Sequence, residues 1–247
     1  MKFLLTLLSF VIFISDSGKI SELKTNQIPT KEDVRNFKSW KPFVVSIKDD
    51  IPYYDFSGEK WNKKAELNFE IERGKENKAY FSHPTSALKV ENGWLVGFNR
   101  GEWIGALYWY SNNGKEKYLI KDKNVHNILQ LGDRIYITQG LAHLGGDFGT
   151  VSEIVFNNKK WFVAKTEKLS GCPFQSTVYN DKLLIITTKN IVLANSYLEL
   201  TEKMENGFWS GLYPNSVVTE KNTAYIGMRG GILKVNFEND NKDWLTE

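Results

Sequence analysis

The groups in this 247-residue chain that could do chemistry are three histidines, one cysteine, and a few carboxylates and arginines set among glycines. His143 and Asp147 stand four residues apart in Gln139-Gly-Leu-Ala-His-Leu-Gly-Gly-Asp-Phe-Gly149. In a helix they would share a face, but the glycines argue for a loop. General acid–base work by His126 or His143 with Glu102 or Asp147 is one reading, although no spacing specifies it. A metal site would need three ligands converging on one point; none is expected, nor is any other cofactor. Arg100 and Arg229 occupy similar places in two repeats, so two guanidinium forks could hold a carboxylate or phosphate. The plainer reading of both is a solvated loop arginine. Cys172, beside Pro173, reads as a buried or semi-buried thiol rather than a nucleophile. Being alone, it excludes an intramolecular disulfide and a four-cysteine zinc site. Asn206-Gly-Phe-Trp-Ser-Gly-Leu-Tyr213 carries Phe208, Trp209 and Tyr213 with two glycines and no strand pattern. Loop aromatics of this kind, joined by Trp103, are good anchors for a protein or a sugar. Their plainer role is a packed plug.

Composition narrows the partners. The chain has 32 basic and 29 acidic residues, net +3, with no basic run, so nucleic acid is not an expected partner. Met1-Lys2 is followed by twelve nearly all-apolar residues, Phe3 to Ile14, and then Ser15-Asp16-Ser17-Gly18. A positive start, a short apolar stretch and small residues at Ser15 and Ser17 predict a cleaved signal peptide over residues 1–17. The stretch is too short to span a membrane, so no stable insertion is expected after cleavage. The predicted endpoint is the periplasm or the medium.

The elements that must position these groups are repeats. Four segments share one plan of apolar strand, turn and apolar strand. They run Ser86 to Val96, Asn127 to Ile137, Ser176 to Ile186 and Ser216 to Ile226. Their anchors Leu88, Leu129, Val178 and Val218 lie 41, 49 and 40 residues apart. The turns read as Asn92-Gly93, Gly132-Asp133, Asn180-Asp181 and Lys221-Asn222. Half a repeat away, a polar turn leads into Trp61, Tyr118, Trp161 and Trp244, with a degraded version at Leu200 to Met204. Two hairpins per 40–50 residues is the period of a β-propeller blade. One four-stranded sheet cannot cover its own apolar face, whereas blades stacked around an axis cover one another.

The predicted fold is therefore all-β, a β-propeller of about five four-stranded blades over residues 40–247. Residues 18–39 are expected to form a linker with a short capped helix, Thr30 to Phe37, outside the ring. In the first blade, Ile51 to Phe56 and Trp61 read as an outer hairpin, and Phe43 to Ile47 is the candidate strand to complete the last blade and close the ring. The alternatives are an open sandwich and a two-domain β protein. Gly145-Gly146 and Gly230-Gly231 precede Trp161 and Trp244, which resembles the double-glycine and downstream-tryptophan pattern of kelch blades. The resemblance implies a fold and carries no function.

In a propeller, the segment leading into each innermost strand and the loop joining the second and third strands gather on one face. The lead-in positions Thr85, His126, Gln175 and Asn215 are then expected around the channel mouth. The Ser or Asn that follows each should hydrogen-bond near the strand start. These polar residues could serve a ligand, or only tie blades together. All three histidines, His83, His126 and His143, fall on this face. Two functional readings follow. The first is an exported, non-enzymatic binding protein that presents the loop face to a protein or glycan partner, as an inhibitor or immunity-type protein would. The second is a small exported hydrolase or lyase acting on a sugar or lactone in the channel mouth, through Glu102, His143, Asp147 and the arginines.

Overall fold

The computed structural model describes residues 17–37, 41–56, 66–71, 83–103, 105–205 and 207–247. The described chain is mostly strand. It opens with β1 (Ser17–Lys19), a 3-10 turn, β2 (Lys24–Asn26) and the helix α1 (Lys31–Arg35). Then come β3 (Val44–Lys48) and β4 (Ile51–Asp55). The next group is β5 (Ser86–Val90), β6 (Gly93–Phe98), β7 (Ala106–Tyr110) and β8 (Lys117–Lys121). It is followed by β9 (Val125–Leu131), β10 (Arg134–His143), β11 (Gly146–Asn157) and β12 (Lys160–Leu169). The last two groups are β13 (Pro173–Tyr179), β14 (Lys182–Thr187), β15 (Asn190–Ala194) and β16 (Leu200–Glu205), then β17 (Ser216–Glu220), β18 (Thr223–Met228), β19 (Gly231–Asn236) and β20 (Lys242–Thr246).

These strands form five antiparallel sheets, the blades of a β-propeller. Blades 2, 3 and 4 are four-stranded meanders, β5 to β8, β9 to β12 and β13 to β16. Blade 1 has the order β1-β4-β3, and blade 5 the order β17-β18-β19-β20-β2. The first strand of each meander is innermost: β5 lies beside β9, β9 beside β13, β13 beside β17, and β17 beside β3. Apolar cores fill the seams between blades 2 and 3, 3 and 4, 4 and 5, and 5 and 1. A strand with a blade on either side is buried on both faces. Leu183-Leu-Ile-Ile186 of β14 is therefore a continuous apolar run. Outer strands such as β12 alternate instead.

The turns follow the chemistry of their residues. Asn180 and Asp181 both take positive φ, 42° and 54°, as a two-residue hairpin with the strands' own twist requires. The first inner turn lies one residue earlier than its Asn-Gly pair implies. Val90 pairs with Gly93, so Glu91 and Asn92 turn and Gly93 already belongs to β6.

Three expectations are corrected. Phe43 to Ile47 does not complete the last blade: β3 is the innermost strand of blade 1 and pairs with β4 across Asp49-Asp50. That blade is extended instead by β2, which pairs with β20 as its fifth, outermost strand. Ile51 to Asp55 is thus half of an inner hairpin, with β1 on its other side; Trp61 lies outside the described residues. Finally, the helix is present, capped by Thr30 in a reciprocal box with Asp33, but it lies on the ring with Val34 buried in the core between blades 4 and 5. Residues 1–16, most of the expected signal peptide, lie outside the described residues.

Candidate functional site

The Ser and Asn side chains after each lead-in position join neighbouring blades. Ser86 Oγ of blade 2 accepts from the Ile128 amide of blade 3 at 3.0 Å. Asn127 Oδ1 of blade 3 accepts from Ser176 Oγ of blade 4 at 2.9 Å. Ser216 Oγ of blade 5 accepts from the Val45 amide of blade 1 at 2.8 Å. Two of these bonds satisfy a backbone N–H of the neighbouring innermost strand, and the third joins two side chains across the same kind of seam. Ser86, Asn127 and Ser216 thus tie blade to blade.

The lead-in residues differ among themselves. Thr85 Oγ1 accepts from the Asn99 amide at 2.8 Å. Asn215 Oδ1 accepts from Ser216 Oγ at 2.7 Å, while its buried Nδ2 has no partner. Gln175 is half-buried beside Phe174, whose ring meets Tyr213 edge-on. Tyr213 is itself under the Arg229 guanidinium, 4.6 Å from the ring centroid.

His126 has the most determined surroundings. Its Nε2 lies 3.2 Å from the Gly140 carbonyl, which can only accept, so Nε2 carries the proton. The Asn99 amide nitrogen lies against the ring, 3.2 Å from Nε2 and 3.3 Å from Nδ1, and is held that way because Asn99 Oδ1 accepts from the Gly101 amide. Cys172 Sγ stands 3.6 Å from Nε2. Burial pushes the imidazole down to about 4, against the Gly140 bond, which favours the proton. Burial and the charge of Asp147 push the thiol up to about 12. The contact is a neutral pair, the reverse of the imidazolium–thiolate arrangement that activates a nucleophile.

Gln139 to Gly149 is not a loop. β10 and β11 continue through it as a hairpin, with His143 opposite Gly146 and Leu144-Gly145 at the tip. Gly140 has a steric reason to be glycine, because a Cβ there would sit 2.5 Å from the Phe148 carbonyl and 2.7 Å from Pro173. The hairpin is braced on both sides. His143 Nε2 is 2.7 Å from Glu102 Oε2 of blade 2. Asp147 takes the Cys172 amide at 2.7 Å, the Thr188 hydroxyl at 2.8 Å and the Lys189 ammonium at 3.3 Å, all from the blade 4 side. Glu102 and Trp103 are carried by a 3-10 turn beside β10. The buried Asn124 fixes that segment, accepting from the Arg100 amide and donating to the Gly101 carbonyl.

Three large apolar side chains are solvent-exposed here: Leu144 at 92%, Trp103 at 71% and Phe148 at 51%. A pocket of about 210 Å3 lies beneath, lined by Glu102, Asn124, Gln139, Leu141 and Phe148. Trp209, by contrast, cannot be a surface anchor. It is fully buried between blades 4 and 5, and its Nε1 donates to the Thr187 carbonyl at 2.7 Å. Arg100 and Arg229 are carried by different blades, 2 and 5. Asn99, Asn124, Leu144, Phe148 and Thr188 were not singled out from sequence. Only the polar and glycine-rich setting of Asn99, Leu144 and Phe148 hinted at them. Among the described residues no group of three or more His, Cys, Asp or Glu is placed to hold a metal ion, and no helix is long and apolar enough to cross a membrane.

No protein-family model matches the chain, and no curated protein does. Among solved structures it is similar to a virginiamycin B lyase from Staphylococcus aureus, with 11% identity and a TM-score of 0.44 over 65% of this chain and 54% of that one. It is similar to a luciferin-regenerating enzyme, with 12% identity and a TM-score of 0.44 over 64% of this chain and 58% of that one. It also resembles the extracellular domain of a B. thetaiotaomicron protein, with 9% identity and a TM-score of 0.47 over 89% of this chain and 29% of that one. The chain thus spans a little over half the length of the first two and under a third of the last.

Proposed function

We propose that this protein is an exported, non-enzymatic binding module that holds a protein partner with the blade 3 hairpin, in the manner of an inhibitor or immunity-type protein. The observation that carries this reading is the exposure of Leu144 and Phe148 on a hairpin braced from both neighbouring blades, and of Trp103 on the 3-10 turn beside it. Large apolar side chains on a rigid support lose little entropy on docking and provide the desolvated centre of an interface. The nearby titratable groups have other work: His126 and Cys172 are neutral, and Asp147 is saturated by three donors. The signal-peptide pattern supports export. A photo-crosslinking residue at Leu144 should trap one protein from an envelope extract, and Phe148→Ala with Trp103→Ala should abolish the capture. Capture that is unchanged in the double variant refutes the docking role.

One observation favours an acid–base enzyme instead, namely the Glu102–His143 pair at the rim of the 210 Å3 pocket. In that case Glu102→Gln abolishes turnover of a sugar or lactone while leaving partner capture intact. Full activity in Glu102→Gln rejects it.

A further inference from the structure

The pocket of about 210 Å3 beneath the blade 3 hairpin is lined in an order that selects what enters it. β10 and β11 stay in register along this stretch, so Gln139 lies opposite Thr150 and Leu141 opposite Phe148. Side chains alternate across a strand, so these two cross-strand pairs share one face of the hairpin, and all four residues line the pocket. The facing wall is the Gly101-Glu102 turn and the buried Asn124. That wall is fixed, because Asn124 accepts from the Arg100 amide and donates to the Gly101 carbonyl.

Polarity changes along the hairpin face. Gln139 is 2% exposed, whereas Phe148, toward the tip, is 51% exposed. The inner end is therefore polar and the outer end apolar. Gln139 is also under-bonded. Its Nε2 reaches the Lys123 carbonyl only at 3.5 Å, and among the described residues nothing donates to its Oε1. The half-buried Thr150 hydroxyl beside it has no partner among them either. A buried acceptor without a donor is costly, and an occupant that brings an O–H offsets that cost.

These features call for an apolar body with a hydroxyl at its far end. The volume holds one ring, since an apolar cavity of about 150 Å3 takes up benzene. A phenol lays its ring along Leu141 and Phe148 and donates its O–H to Gln139 Oε1, while its oxygen accepts from Thr150. A phenylalanine ring leaves Gln139 unbonded. A lysine or arginine would carry its charge to the neutral amide end, because the charged residues of the lining, Glu102, Asp122 and Lys123, are all exposed and Glu102 is already turned to His143. We propose that this pocket receives a tyrosine side chain of the partner protein, an assignment that rests on the docking reading and names the residue that anchors it.

The test is NMR titration of the whole protein with N-acetyltyrosinamide and with its phenylalanine and arginine analogues. The tyrosine compound should shift the Gln139 side-chain amide signals and bind at least about 5-fold more tightly than the phenylalanine compound. Gln139→Leu should remove that preference, and Thr150→Val should reduce it. Equal binding of the two rings, tighter binding of the arginine compound, no shift at Gln139 with millimolar ligand, or a preference intact in both variants overturns the proposal. Capture by the Leu144 probe keeps the two readings apart. Wild type that captures nothing refutes the docking reading, and with it the partner as the source of the phenol. Capture that is unchanged in Gln139→Leu refutes the tyrosine pocket alone.

Discussion

The imidazole of His126 should set a pH dependence of folding that can be measured and removed. The ring is neutral in the folded chain because burial disfavours its charged form, against the Nε2 bond to the Gly140 carbonyl, which favours the proton. The Asn99 amide nitrogen, 3.2 Å from Nε2 and 3.3 Å from Nδ1, offers the imidazolium no acceptor, and Asn99 cannot turn over without losing the Gly101 amide from its oxygen. The folded value of about 4 lies below the ordinary 6.5. Above about pH 6.5 the ring is neutral folded or unfolded and makes no pH-dependent contribution. As pH falls, the unfolded chain takes up the proton first, so stability is lost progressively until the folded ring also titrates near 4. At about pH 4.5 the loss amounts to roughly 2.5 kcal/mol from this residue, at 1.36 kcal/mol per unit. Urea unfolding at about pH 7.5 and about pH 4.5 measures it. His126→Gln should be less stable at the higher pH yet lose about 2.5 kcal/mol less than wild type between the two. Carboxylates and the other histidines contribute alike to both proteins and cancel. Wild type and variant losing stability in parallel over this interval would refute the assigned tautomer and the enclosure of the ring.

Asp147→Ala leaves the Cys172 amide and the Thr188 hydroxyl without their charged acceptor and should cost about 3 kcal/mol in urea unfolding. Lys189→Met should cost under about 0.5 kcal/mol, because the ammonium is 54% exposed; similar losses in both variants would reject this division. Cys172 should resist iodoacetamide in the folded protein and react only on unfolding, as mass spectrometry would register; fast native labelling rejects the neutral pair. Deleting residues 17–26 removes β1, β2 and the buried Ile20 and Leu23, and should lower the thermal midpoint by on the order of 10 °C; an unchanged midpoint contradicts a stabilising role for this segment.

What was legible in the sequence was local. Turn residues at a steady spacing marked the inner hairpins, and aromatic landmarks marked outer strands β8, β12 and β20, because both signals act within one blade. The errors arise where one blade meets another. β2 is Lys-Thr-Asn, three exposed residues with no apolar pattern, and only the free edge of β20 makes it a strand. The glycines of β10 and β11 read as a loop, but Gly140 is small so that Pro173 and Cys172 of the next blade can approach. Trp209 read as a loop aromatic because its burial depends on blades 4 and 5 closing over it. The His126–Cys172 contact joins residues 46 apart and exists only because their blades are adjacent. The Ser and Asn bonds between blades were foreseeable in kind, since the same position recurs in each repeat.

The same inter-blade contacts explain why the apolar tip lies where it does. An isolated two-stranded hairpin is at best marginally stable in water, and one extending beyond its sheet should fray. Here the last rungs of the ladder, Ala142 with Asp147 and His143 with Gly146, are the ones tied sideways, to blade 4 through Asp147 and to blade 2 through His143. Each tether ends on a backbone or side chain of an element that is itself fixed: Glu102 on a segment held by Asn124, and Thr188 in the tight turn before β15. Leu144 and Phe148 flank these rungs, so their exposure is held by structure rather than left over at a frayed end. Loosening the tethers by Asp147→Ala should therefore weaken partner capture even though Asp147 touches none of the apolar side chains that would dock, whereas Lys189→Met should leave capture unchanged. Equal capture by wild type and Asp147→Ala would mean that rigidity at the tip contributes nothing, and that the two tethers serve stability alone.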